Sequence, residues 1–137
     1  MAELIIDAAL ENLDTVFDFI HEELENADCP MRAQMQIDLA VDEIFANISK
    51  YAYNPQVGKA KINCSVKNDP LRVEICFEDN GIPYNPLEKE DPDITLSADD
   101  REIGGLGIFL VKKNMDSVEY EYKDGKNILI IKKEIVK

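Results

Sequence analysis

The chain has 137 residues, of which 45% are hydrophobic and 31% charged, a composition typical of one globular domain spanning residues 1–137. Its 28 acidic and 15 basic residues give a net charge of -13, and the lysines are interspersed, so nucleic acid is not an expected partner. The sequence has no apolar run of about 18 residues and no signal-peptide pattern, which predicts a cytoplasmic protein without a membrane span.

The cysteines and the histidine indicate neither a zinc site nor a disulfide. Cys29, Cys64 and Cys76 are odd in number and lack CxxC spacing, and His21 is followed by two glutamates. Cys64 falls in an alternating run, so we expect it to be a small core residue.

The N-terminal half of the chain predicts a strand followed by two helices. Residues 2–8 form a short apolar run suited to an edge strand, and apolar residues recur with the helical period over 10–24. A second helix is predicted to about residue 53, with a proline in its first turn and Asp28 or Cys29 as its cap.

The second half predicts two hairpins separated by a loop and a helix. Alternating runs over 62–77 form the first hairpin, and a long loop covers 81–107. A short helix over 106–115 leads to the second hairpin, which turns at Asp124-Gly125. This order favours an α+β two-layer sandwich, with three helices on one face of a mixed, mainly antiparallel sheet of about five strands.

Three polar residues of the second helix share one face. On a helical wheel Glu43, Asn47 and Lys50 fall within about 60 degrees of one another. A carboxylate, an amide and an amine therefore form one stripe, which is a candidate site, although the solvated face of an amphipathic helix remains an alternative.

A second candidate follows the first hairpin, where Asp79 ends an alternating strand and Gly81 begins a turn. A carboxylate there can accept the exocyclic amine proton of adenine, and the glycine lets the backbone approach a purine ring closely. An ordinary turn remains the alternative interpretation.

The third candidate is the glycine cluster Gly104, Gly105 and Gly107, which precedes an apolar helix. Glycines at a helix start can direct successive N–H groups at an anion such as a phosphate, and the helix dipole favours the negative charge. A flexible hinge is the alternative, and the Gly-Lys-Ser/Thr of a P-loop is not present.

Taken in order, DEIFANISKYAY, FEDNGIPYNP and GGLGIFLVKKNMDSVEY resemble the N, G1 and G2 boxes of the GHKL ATPase superfamily. The small size and the closing DGKNILIIKK are similar to the bacterial anti-sigma factor serine/threonine kinases, and the resemblance spans nearly the whole chain. It implies the Bergerat ATP-binding fold with ATP and Mg²⁺ as cofactors.

The resemblance also implies roles for individual residues. Glu43 would be the general base, and Asn47 the magnesium ligand. Asp79 would read adenine together with Gly81, and residues of about 86–103 would form the ATP lid. The remaining cofactor-binding residues would be Lys50, Gly104, Gly105, Leu106, Gly107 and Ile108.

The chain departs from the family pattern at three positions. Pro83 replaces the second glycine of the G1 box, Tyr51 stands where histidine is frequent, and Ile103 replaces an arginine, with Arg101 nearby. Two functions therefore stay open. One is a serine/threonine kinase that phosphorylates an anti-anti-sigma (STAS-type) partner, with a sigma factor as a further partner and a homodimer as the implied assembly. The other is a non-catalytic, ATP-dependent binding module that regulates a protein partner by lid ordering.

Overall fold

The computed structural model describes residues 2–52, 58–68, 71–88 and 105–135. Five strands form one sheet in the order β1-β2-β3-β5-β4, and each of the four described pairings is antiparallel. The strands are β1 (Ala2–Asp7), β2 (Lys59–Lys67), β3 (Arg72–Asp79), β4 (Ser117–Lys123) and β5 (Lys126–Glu134). The predicted edge position of the first strand is confirmed.

Three α-helices complete the two-layer fold, which confirms the predicted α+β class. They are α1 (Leu13–Asn26), α2 (Met31–Asn47) and α3 (Gly105–Asn114), and shorter turns occupy Leu10–Asn12, Ile48–Ala52 and Pro86–Glu88. Within the described residues, no helix has the length and apolar character needed to cross a membrane.

The core lies between the helices and one face of the sheet. The central strand β3 alternates strictly, and its buried positions Val73, Ile75 and Phe77 are followed in the same phase by Asp79. The register of β3 with β5 pairs Asp79 with Asn127. The last inward position of β3 and the first inward position of β5 are therefore polar, and these two polar residues lie side by side at one end of the sheet.

The turn at Asp124-Gly125 is confirmed. Asp124 has φ 54° and Gly125 has φ 77°. Two successive left-handed residues are typical of the type I′ turn, whose twist matches that of the strands it joins. This turn sets the register of β4 against β5 and brings Tyr120 near Asn127.

The prediction that Asp28 or Cys29 caps α2 is wrong, because these residues end α1. The amide of Cys29 donates to the Leu24 carbonyl at 3.0 Å, and that of Asp28 donates to the Glu25 carbonyl at 3.0 Å. With Asp28 left-handed at φ 55°, this is a Schellman arrangement. The N-cap of α2 is Pro30, without a side-chain cap.

The second helix is α-helical only as far as Asn47, and Ile48–Ala52 continues it as a π-helix. The Ser49 hydroxyl donates to the Phe45 carbonyl at 2.9 Å, a back-bond that accompanies helix distortion. The α-helical wheel therefore does not give the direction of Lys50, which is exposed within this wider turn.

The three cysteines, all within the described residues, are not joined in disulfides, and Cys64 is confirmed as a core residue. Burial raises the pKa of the Cys64 thiol to about 12 and that of Cys76 to about 11. Thiolate chemistry at these two positions is correspondingly suppressed.

The left-handed Asp28 provides a test of the end of α1. Asp28→Gly removes the steric cost of positive φ, so we expect the free energy of unfolding to rise by about 0.5 kcal/mol. The same change at Asp18, exposed within α1, is the matched control and should lower it by a few tenths of a kcal/mol. Urea denaturation measures both values, and equal losses would contradict the assigned Schellman end.

Candidate functional site

A cleft opens between α2, the end of β3 and the start of β5. It joins two of the predicted motifs, because Asn47 of the helix stripe and Asp79 of the strand end both line it. The other lining residues are Ile44, Ile48, Phe77, Tyr84, Pro86, Tyr120, Asn127 and Leu129. The walls are mainly apolar with a few polar groups, as is common for sites that bind small molecules.

Asp79 is the most buried acid of the cleft, with 6% of its surface exposed. Its Oδ1 accepts the Gly81 amide at 2.9 Å and the Asn127 Nδ2 at 2.9 Å. Within the described part of the chain, Oδ2 accepts no hydrogen bond. One carboxylate oxygen is therefore fixed by the protein, and the other is free to accept a donor from a ligand.

Asn127 is the residue that the sequence analysis missed. Its Nδ2 also donates to the Ile82 carbonyl at 2.8 Å, while its Oδ1 accepts the Tyr84 amide at 3.1 Å and the Tyr120 hydroxyl. A single buried amide thus ties β3, the turn that follows it, and β4 to β5. The available signal was a polar residue in phase with the buried Leu129 and Ile131.

Burial raises the pKa of Asp79, and the hydrogen bonds from Asn127 and Gly81 oppose that rise. Removal from water penalises the charged carboxylate, whereas donors that point at it favour the charge. Desolvation is the larger effect here. A ligand donor reaching Oδ2 would relieve part of that penalty.

Glu43 and Asn47 lie one turn apart on α2, and Asn47 Nδ2 donates to Glu43 Oε1 at 3.3 Å. The predicted proximity of these two residues is confirmed. Because the amide nitrogen faces Glu43, the Asn47 Oδ1 is the atom left to bind a cation. An amide oxygen is a hard ligand that suits Mg²⁺, which usually takes few protein ligands and completes its shell with phosphates and water.

Among the described residues, no three or more His, Cys, Asp or Glu side chains are grouped so that they could hold a metal ion. The Asn47 Oδ1 would supply one ligand to Mg²⁺, and bound phosphates and water would supply the others.

The glycine cluster differs from the predicted loop before a helix. Because α3 begins at Gly105, Leu106 and Gly107 also belong to its first turn, where backbone N–H groups have no acceptor within the helix. Ile108 is 2% exposed and belongs to the core, so only its backbone is open to a ligand. Gly104 lies outside the described residues.

Several predicted features remain predictions. Lys50 is exposed and does not line the cleft. Of the expected lid over about 86–103, only Pro86–Glu88 is described, and Arg101 and Ile103 lie outside the described residues.

The raised pKa of Asp79 gives a testable pH dependence. Asp79→Asn keeps an oxygen at the Oδ1 position and removes the buried charge, so at neutral pH we expect the variant to be at least as stable as the wild type. A pKa that is raised in the folded state stabilises the protein at low pH, and this stabilisation is lost as the pH rises. The free energy of unfolding of the wild type should therefore increase relative to that of the variant as the pH falls toward 3.8, the ordinary pKa of aspartate.

Thermal unfolding across that pH range measures the difference. Asp18→Asn, at an exposed site, reports the general effect of removing one negative charge from a chain of net charge -13. An Asp79→Asn variant that loses stability at neutral pH and keeps the same deficit at every pH would contradict the raised pKa assigned to Asp79.

Known proteins resemble this chain in sequence and in fold. Residues 6–133 match the histidine kinase-like ATPase domain. The serine/threonine-protein kinase BtrW of Bordetella bronchiseptica is 30% identical over 100 residues, which are 73% of this chain and 70% of that protein. The serine-protein kinase RsbW of Bacillus cereus is 31% identical over 98 residues, which are 69% of this chain and 60% of that protein.

A solved structure shares the fold. The crystal structure of the RsbU and RsbW domains of Rv1364c from Mycobacterium tuberculosis superposes with a TM-score of 0.68 at 15% identity, covering 98% of this chain and 33% of that one. The family match extends over nearly all of the described elements, including α2, the cleft and α3. The chain therefore belongs to the histidine kinase-like ATPase (GHKL) family, and within that family it is similar to the anti-sigma factor serine kinases.

Proposed function

We propose that the chain is an ATP-dependent serine/threonine protein kinase that phosphorylates an anti-anti-sigma (STAS-type) partner in a partner-switching regulatory system. The observation that carries the proposal is the cleft in which Asp79 and Asn47 meet, with Glu43 beside Asn47. The similarity to BtrW, a serine/threonine-protein kinase, and to RsbW, a serine-protein kinase, supports it. The RsbW match covers 60% of that protein.

The cleft can hold the base of ATP by chemistry already present in it. The apolar side chains of Ile44, Ile48 and Phe77 would contact the faces of the adenine ring. The free Oδ2 of Asp79 would accept the proton of the exocyclic amine. Because Oδ1 is fixed by two donors, the carboxylate needs little reorganisation when the base binds.

Phosphoryl transfer would use Glu43 and Asn47 of α2 together with the first turn of α3. Asn47 would hold Mg²⁺ through Oδ1, and the ion would neutralise charge on the phosphates. Glu43 would accept the proton of the partner's serine or threonine hydroxyl as its oxygen bonds to the γ-phosphorus. The bond from that phosphorus to the bridging oxygen breaks in the same step, and ADP leaves with the electron pair.

A second candidate is a non-catalytic module in which bound ATP orders the lid and changes the surface presented to a protein partner. Pro83 and Ile103 favour it, because both depart from the family pattern around the nucleotide. In this case Asn47 would still matter for nucleotide binding, whereas Glu43 would be dispensable for the binding of the partner.

The kinase proposal is tested with purified chain, Mg²⁺-ATP and a STAS-domain protein, using calorimetry for binding and mass spectrometry for phosphoserine or phosphothreonine. Glu43→Ala should bind ATP within a few-fold of the wild type and lose transfer by about 100-fold or more. Asp79→Asn should lose binding, and its thermal unfolding is the control for folding.

The outcomes separate the two candidates. Clean binding of ATP without transfer by the wild type would reject the kinase and retain the binding module. No binding by the wild type would reject both.

We also propose that the chain forms a homodimer through β1 and the start of α1. The edge strand β1 exposes Ile5 to 61%, and the turn before α1 exposes Leu10 to 51%. Unpaired edges and exposed apolar side chains favour association. Ile5→Lys should shift analytical ultracentrifugation towards the monomer, whereas Tyr122→Lys on the opposite edge strand β4 should not. Equal behaviour of the two variants would contradict this interface.

A further inference from the structure

Gly107, in the first turn of α3, lies directly against the Glu43 carboxylate of α2. A Cβ built on Gly107 would fall 2.0 Å from Glu43 Cδ and 2.2 Å from each of its two carboxylate oxygens. Real Cβ atoms essentially never come closer than 3.0 Å to a non-bonded heavy atom of another residue. No side chain, including that of alanine, therefore fits at position 107 while Glu43 keeps its place.

The Glu43 carboxylate also accepts a hydrogen bond from a residue of its own helix. Asn47 Nδ2 donates to Glu43 Oε1 at 3.3 Å, so the carboxylate lies between an amide of α2 and the bare Cα of α3. The two helices cannot separate cheaply to admit a methyl group, because Ile108 and Val111 of α3 are buried in the same core as Ile44 of α2. An added side chain would therefore displace the carboxylate.

We infer that Gly107 is a positioning residue for Glu43: its missing side chain sets where the carboxylate lies relative to the first turn of α3. The need for glycine at 107 then comes from the protein's own carboxylate, in addition to any need to admit phosphate. The catalytic meaning of this contact rests on the proposed kinase function, whereas the contact itself does not.

Gly107 couples the first turn of α3 to the Glu43 carboxylate. The first turn of α3, where the phosphates are proposed to bind, contacts the proposed base Glu43 through the Cα of Gly107. A displacement of this turn would therefore move the Glu43 carboxylate. A substitution at position 107 should consequently impair the base even where the nucleotide still binds.

A double-mutant cycle tests the contact through thermal unfolding. In the wild type, Gly107→Ala should lower Tm by a few degrees, because the methyl group displaces the Glu43 carboxylate from its place beside Asn47. In the Glu43→Ala background the same substitution should leave Tm unchanged or raise it by a few degrees, because alanine is favoured over glycine in a helix. An equal shift in both backgrounds would overturn the inference.

Gly125→Ala is the matched control, since a Cβ at Gly125 meets nothing within 4 Å and its cost arises from φ 77° alone. Its Tm shift should be the same in the wild type and in the Glu43→Ala background. A difference between the two backgrounds at this distant turn would mean that Glu43→Ala alters stability generally, and would overturn the inference.

The kinetic measurement distinguishes positioning from a loss of folding. Gly107→Ala should lower kcat by about tenfold or more, a larger factor than any change in KM for ATP, because the methyl group faces Glu43. Glu43→Asp, one methylene shorter, should restore part of the Tm lost in the Gly107→Ala variant. Transfer absent from the wild type would defeat the kinase proposal alone, and a cycle without coupling would defeat this inference alone.

Discussion

The Asp79 carboxylate is taken out of water at the end of β3, and a buried carboxylate needs donors placed around it. One donor is the Gly81 amide, which requires the chain to turn immediately after the strand. The other is Asn127, which requires β5 to pair with β3 in the observed register. The remaining bonds of Asn127 fix the backbone at Ile82 and Tyr84. The floor of the cleft is organised around this one acid.

The same acid illustrates the cost of a preformed site. Desolvation raises the pKa of Asp79 although two donors oppose the rise, so the charged state is maintained at the expense of stability. What the protein gains is an acceptor oxygen already aligned within an apolar cleft. Sites that bind ligands commonly keep such locally unfavourable groups, and the surrounding hydrogen bonds prevent them from relaxing.

Most of the fold could be predicted from the sequence because periodicity carries it. The alternation ending at Asp79 and the four-residue spacing of Glu43 and Asn47 are local patterns, and the strand and the proximity that they predict are confirmed. Asn127 could not be assigned a role because its partners depend on strand pairing, which one strand does not reveal. The Schellman end at Asp28 and the π-helix carrying Lys50 depend on backbone hydrogen bonds that residue identity only weakly specifies. The contact of Gly107 with Glu43 is a tertiary approach between two helices.

The separation of Asp79 and Asn127 along the chain also bears on how the protein is made. The two residues are 48 positions apart, and the hairpin carrying Asn127 follows every other described element of the cleft. During synthesis, which proceeds from the N-terminus, Asp79 emerges from the ribosome long before its principal donor. Until β5 has been synthesised and pairs with β3, the edge of β3 that binds β5 is unpaired. The Asp79 carboxylate is then more stable in water than buried. Nascent chains should therefore be unable to bind nucleotide until the last hairpin has been translated, which ties the competence of this cleft to completion of the fold.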